Sequence, residues 1–148
     1  MRTEKGVAIV AYKESRGSRR FLVLKRTKNW EGWELPKGHL ENDDYDETVK
    51  LELGEEAGID GENIREIKSL DEDLEWSYED EDGEEVQREY RGYLVRIEDD
   101  ATVYVSANPH DEHETGFFMK LEDVRSLLTY DNQKDLLEEA VTRLKAQG

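Results

Sequence analysis

Cysteine is absent from the 148 residues. That excludes a disulfide framework and any thiolate metal site. The chain also lacks an opening run apolar enough for a signal peptide or a membrane span, so the expected address is cytoplasmic. Positive charge is scarce: 21 Lys and Arg stand against 38 Asp and Glu, a formal net charge of -17. Such a balance disfavours direct binding to DNA or to an anionic membrane, because phosphate recognition needs a cationic footprint. No repeat, low-complexity linker or break between domains is visible, and the length suits a single domain, residues 1–148, able to bury its own core. A phosphate-rich ligand would need local positive charge or bound cations. The stretch from Lys13 to Lys37 offers the former, with eight basic residues against three acids.

Two apolar, β-branched runs, Lys5 to Tyr12 and Arg20 to Thr27, are separated by the polar KESRGSR and predict two strands joined by a loop. NWEGWELPKGH follows, whose glycines and proline predict irregular structure. A helix is predicted from about Asp46 to Ala57, with Gly58 as its stop. Asn63 to Leu70 and Val86 to Ile97 predict strands, and the ten acids without a base between Asp71 and Glu85 predict a solvated hairpin end. A last strand around Gly116 to Leu121 precedes a short helix, LEDVRSLL, and a terminal one, NQKDLLEEAVTRLKAQ. This order predicts an α/β (α+β) fold, a mixed sheet with helices on both faces.

The first helix carries the most specific pattern. At about 100° per residue, Glu52, Glu55 and Glu56 share an arc of about 100°, with Val49, Leu53 and Ala57 on the adjoining arc to anchor the helix on the sheet. Like charges at these spacings repel unless a divalent ion, which favours hard oxygen ligands, lies among them. Acid pairs alone carry little weight in so charged a chain. Glu138 and Glu139 make a similar pair on the terminal helix, and the expectation there is an ordinary solvated face. The context differs around the first helix: a loop, LPKGHLE, before it, a three-acid register, and a glycine stop.

That constellation resembles the Nudix box. Residues Glu52 to Ile59, ELGEEAGI, match its closing half without a break. Two departures stand out. Leu51 occupies the position of the family arginine, and the loop is one residue short, so the box's first glutamate falls on Asp43 or Asp44. The resemblance implies a Nudix-type α/β/α sandwich and a hydrolase that opens the phosphoric anhydride of a nucleoside polyphosphate with Mg²⁺, or alternatively Mn²⁺. It implies Glu52, Glu55 and Glu56 as metal ligands with the Gly38 carbonyl as a weaker one. The catalytic base is then Glu52 or a carboxylate of a later loop, Glu112, with Glu56 also in the catalytic set. Lys37, His39, Tyr78 and His113 become candidate substrate contacts. The alternatives are an ordinary loop acid at Glu112, a surface histidine at His113, a loop-stabilising His39, and core or sheet-surface roles for Tyr78, Tyr90 and Tyr93.

WELPKGHLE and HDEHETGFFMKLEDV are further similar to the asymmetrical diadenosine tetraphosphate hydrolases of that family. The expected partner is accordingly a nucleoside polyphosphate, with an RNA 5′ end or a nucleoside triphosphate as runner-up, and with a non-catalytic nucleotide sensor as the alternative from outside the enzymes.

Overall fold

The computed structural model describes residues 1–105 and 113–147. In chain order these are β1 (Arg2–Ser15), β2 (Ser18–Arg26), β3 (Gly32–Glu34), β4 (Lys37–His39), α1 (Tyr45–Ala57), a 3₁₀ turn (Gly61–Asn63), β5 (Ile64–Glu79), β6 (Glu85–Ile97), β7 (His113–Met119), α2 (Leu121–Leu127) and α3 (Asp131–Ala146). Among the described residues, no helix is long and apolar enough to cross a membrane.

The seven strands form one mixed sheet in the order β3-β2-β1-β6-β5, with β4 added to β1 and β7 to β2. β1 and β6 run parallel from Arg2 against Val86 to Tyr12 against Arg96. Alternation along β1 sends its side chains to opposite faces. Ala8, Val10 and Tyr12 pack with Leu136, Leu137, Ala140 and Val141 of α3 and Val124 of α2. Val7, Ile9 and Ala11 pack with Val49, Leu53 and Ala57 of α1. The expected sandwich of helices over both faces is therefore present.

A fork in this sheet positions the site. β1 and β2 pair only where Tyr12 to Ser15 meets Phe21 to Ser18, around a tight turn in which Arg16 and Gly17 take positive φ. Beyond it each strand takes a short partner instead: Gly32 to Glu34 on β2, and Lys37 to His39 on Gly6 to Ala8 of β1. The stretch expected to be irregular thus contains two three-residue strands, stabilised by neighbours rather than by any pattern of their own. Leu35 and Pro36 bridge them, Leu35 N–H donating to Gln133 Oε1 at 2.8 Å and Ile9 N–H to the Pro36 carbonyl at 2.9 Å.

The acidic run also differs from expectation, because β5 continues through it to Glu79. Leu70 and Leu74 are buried among acids that face solvent, and the register slips between Ser69 and Asp73. Only residues 80–84 form the hairpin turn.

Candidate functional site

α1 begins at Asp44, whose side chain accepts from Glu47 N–H at 3.0 Å, and ends at Gly58, in the left-handed region at φ 65° with its N–H on the Gly54 carbonyl. The short loop before it is closed by Asn42 and Asp43, both at positive φ, which such residues tolerate better than most. Thr48 seals the junction, its hydroxyl accepting from Glu41 N–H and donating to the Asp44 carbonyl. The helix is thereby fixed in rotation, with Glu52 and Glu56 one turn apart and both buried on its sheet-facing side.

Glu52 lies against β4. A Cβ on Gly38 would stand 2.1 Å from the Glu52 carboxyl carbon, so only glycine admits the carboxylate there. Glu55 is half-buried and lines a shallow groove on the other flank of α1 with Glu47, Lys50, Leu51 and Ile59. Leu51, where the Nudix pattern has arginine, is 36 % exposed in that groove.

Glu56 meets a buried ionic network. His113, the first residue of β7, places Nδ1 2.9 Å from Glu56 Oε2 and Nε2 2.7 Å from Glu34 Oε2. Arg26 donates to the same Glu34 oxygen at 3.1 Å, and the Lys37 ammonium stands 3.3 Å from Glu34 Oε1. Burial alone would raise the Glu34 carboxyl, but His113, Lys37 and Arg26 together hold it down at about 2. Burial likewise disfavours charge on His113, and its hydrogen bonds to Glu34 and Glu56 outweigh that, raising it to about 9. His113 is thus a buried imidazolium at neutral pH, which corrects its reading as a surface histidine. It is held between two protein carboxylates and is not among the residues lining the neighbouring pocket.

That pocket, about 330 Å³, opens beside Glu34. Arg26, Lys37 and Arg88 give it positive charge, and Trp30, Trp76 and Tyr130 give it flat apolar walls. Trp30 and Tyr130 meet edge to face with centroids 5.0 Å apart, while Lys37 and Arg88 lie 5.5 and 5.8 Å from the Trp76 ring. Three cationic side chains and three flat aromatic rings thus line one pocket of an otherwise acidic chain.

Of the sequence candidates, the structure brings Glu52 to Gly38, and Glu56 to His113, and it sets Lys37 in the pocket. Tyr78 is outside the pocket lining, 36 % exposed, and its hydroxyl accepts from the pocket residue Arg88 at 3.1 Å. His39 shares a 3.3 Å hydrogen bond with Tyr90, whose phenol burial raises to about 12. Tyr90 and Tyr93 are core residues. Glu112 lies outside the described residues. Arg26 belongs to the basic stretch the sequence pointed to, but Trp30 and Glu34 beside it were not singled out, and neither were Trp76, Arg88 and Tyr130, which come from distant segments.

Among the described residues, no three Asp, Glu or His side chains converge closely enough to enclose a metal ion. The donors present nevertheless suit a hard divalent cation of the Mg²⁺ type. Such an ion is commonly held by one or two carboxylates, with water and substrate phosphate completing its shell. Glu52 and Glu56 supply those carboxylates, and the missing Gly38 side chain leaves the Glu52 carboxylate its room.

The NUDIX domain family model matches residues 2–140. Solved structures with a similar backbone include a Caenorhabditis elegans Ap4A hydrolase binary complex, at TM-score 0.74 and 24 % identity over 97 % of this chain and 98 % of that one. The NUDIX domain of Shewanella oneidensis NrtR, complexed with ADP ribose, superposes at 0.75 with 17 % identity over 97 % and 90 %. The Escherichia coli dihydroneopterin triphosphate pyrophosphohydrolase gives 0.74 with 14 % identity over 97 % and 99 %. At these identities the likeness is one of fold.

Proposed function

The chain belongs to the NUDIX domain family, and from that premise we propose that it is a divalent-metal-dependent pyrophosphohydrolase of nucleoside polyphosphates, acting on diadenosine tetraphosphate to give ATP and AMP. One observation carries the reading. The cationic, aromatic-walled pocket and the buried Glu56 carboxylate of α1 belong to one continuous network, running from Arg26 and Lys37 through Glu34 and His113 to Glu56. The choice of substrate is supported by WELPKGHLE and HDEHETGFFMKLEDV and by the Ap4A hydrolase among the structures of like fold.

In this reading Trp30, Trp76 and Tyr130 receive one adenine by stacking, while Arg26, Lys37 and Arg88 draw the polyphosphate toward α1. Glu52 and Glu56, with the Gly38 carbonyl and with Glu55 from the flank, would hold a divalent ion, Mg²⁺ or Mn²⁺. When bound, such an ion neutralises phosphate charge and acidifies a water. Water adds to phosphorus, the anhydride P–O bond breaks, and the leaving phosphate departs with the electron pair. Glu52 or Glu112 accepts the proton of the water. His39 steadies the loop beside Gly38.

Incubation with Mg²⁺ and diadenosine tetraphosphate, nucleoside triphosphates, ADP-ribose or 5′-triphosphate RNA, with products identified, tests this. ATP with AMP in equal amounts is expected. Two ADP molecules would mean symmetrical cleavage, and pyrophosphate released from triphosphates or RNA ends would replace the substrate assignment. Binding without turnover would make the protein a sensor. If Glu112 is the base, Glu112→Gln lowers kcat by about tenfold or more with KM little changed, and near-normal kcat across the pH range would leave Glu52 in that role.

A further inference from the structure

His113 is nearly sealed, at 6 % exposure, between elements remote from it in sequence. Nδ1 meets Glu56 of α1 and Nε2 meets Glu34 of β3. Both partners are carboxylates, which accept only, so both ring nitrogens donate. The place of the ring is fixed from the strand side. β7 is registered on β2 with His113 opposite Arg26, and the Arg26 guanidinium closes back onto the Glu34 oxygen that His113 also holds. Glu56, in contrast, has a long side chain with several rotatable bonds, able to set its carboxylate plane in many directions. A rigid planar donor anchored on the sheet selects one of them.

We propose that His113 is a positioning residue: clamped against Glu34, its ring holds the Glu56 carboxylate in the orientation that ligates a divalent cation. This rests on the reading of α1 as the metal-binding helix. Metal-ligating carboxylates are themselves hydrogen-bonded, and loss of such an outer partner typically weakens metal binding by roughly 10–100-fold. His113 acts through Glu56 and touches no substrate.

Two substitutions divide the ring between its nitrogens. An asparagine amide reaches about as far as Nδ1, so His113→Asn keeps a donor for Glu56. A glutamine amide reaches about as far as Nε2, so His113→Gln keeps a donor for Glu34 alone. Mn²⁺ binding to the full chain is measured by electron paramagnetic resonance, beside thermal unfolding of each variant. The expected result is affinity weakened about tenfold or more in His113→Gln and by less than about threefold in His113→Asn. With nucleotide, kcat falls in the same order and KM for the nucleotide stays constant. Unchanged Mn²⁺ affinity in both variants would overturn the proposal while leaving the reading of α1 intact. Equal weakening in both would also overturn it, since the ring would then matter by packing. A wild-type chain that binds no Mn²⁺ would sink both readings together. Should either variant unfold, the wild type supplies the measurement: Mg²⁺ is expected to move the His113 Nδ1–H proton resonance more than the Nε2–H resonance, and an unmoved pair would refute the clamp.

Discussion

Helices α1 and α3 carry nearly the same acidic lettering, GEEA in one and LEEA in the other, and the fold treats them oppositely. On α3, Glu138 meets Arg125 through two 2.7 Å hydrogen bonds in open solvent, a pair roughly 45 % exposed on each side, and Glu139 stands 4.0 Å from Arg143 one turn along. On α1, Glu52 and Glu56 are buried, one packed where Gly38 has no side chain and the other held by a charged imidazole. The α3 acids are solvated, and water screens their charge whatever their partners do. The α1 acids depend on specific partners, which is the condition for a carboxylate to be fixed in direction and to respond to a cation.

The contrast is tested hardest at Glu34, the hub behind Glu56. Glu34→Ala leaves three cations facing one another in a buried space, and loss of one member of a buried ion set costs about 3–5 kcal/mol. Urea denaturation should register it, and a loss under about 1 kcal/mol would mean that water reaches the network. Next in size is Glu56→Gln, expected to lower kcat about a hundredfold, or about 2.7 kcal/mol in the barrier, and to lower the thermal midpoint by less than Glu34→Ala does, because His113 loses one of its two charged partners while the glutamine oxygen can still accept from it. Full turnover would place the chemistry elsewhere.

The buried network behind α1 should also respond to pH. Glu34 titrates lower in the folded state, so its stabilisation is present above the unfolded value of 4.5 and is lost as pH falls through about 2. His113 titrates higher, so its share is complete below 6.5 and is lost as pH rises through about 9. The stability gap between wild type and Glu34→Gln should therefore narrow on acidification below 4.5, as read from urea midpoints. A gap independent of pH would refute the ionised network. Smallest of all, Glu139→Gln should change stability by less than about 0.5 kcal/mol and leave turnover intact, and Arg125→Ala should cost under about 1 kcal/mol, diminishing with salt. A larger effect from either would end the distinction between the helices.

The parts legible in the sequence were those whose cause is local. α1 was readable from its apolar spacing and its glycine stop, and its observed span, Tyr45–Ala57, differs from the expected one by a single residue. β1, β2 and β6 declared themselves through β-branched runs. β3 and β4 did not, because three residues are too few for a period and their pairing is imposed by the diverging edges of β1 and β2. The strand through the acidic run was legible in principle: Leu70 and Leu74 are buried and Trp76 packs against the same core, a signal that counting charges hides. Of the candidate site, Glu52, Glu56 and Lys37 were named from the resemblance, and the fold sets Glu52 against Gly38, Glu56 against His113 and Lys37 in the pocket lining. Glu34 and His113 were not joined, because 79 residues separate them and an imidazole among acids reads locally as solvated. Trp30, Trp76 and Tyr130 gather from three loops and strands, an arrangement that only the folded chain defines.

Strand β1 has one further consequence, which concerns the birth of the chain. Its long edge is satisfied by β6, about 84 residues downstream. At roughly 5–20 residues added per second, β1 waits about 4–17 s for that partner to be synthesised. Until then its pairings with β2 and β4 and its packing on α1 can form, but the face that α3 covers and the row of backbone hydrogen-bonding groups that β6 takes stay open to neighbouring nascent chains. Charge gives that stretch little protection at first, since residues 1–40 carry ten bases against four acids, and the growing chain turns strongly negative only when the run from Asp71 to Glu85, with its ten acids and no base, is made. The acidic run that faces solvent along β5 in the finished protein is thus the segment that makes unfinished chains repel one another, just before β6 arrives.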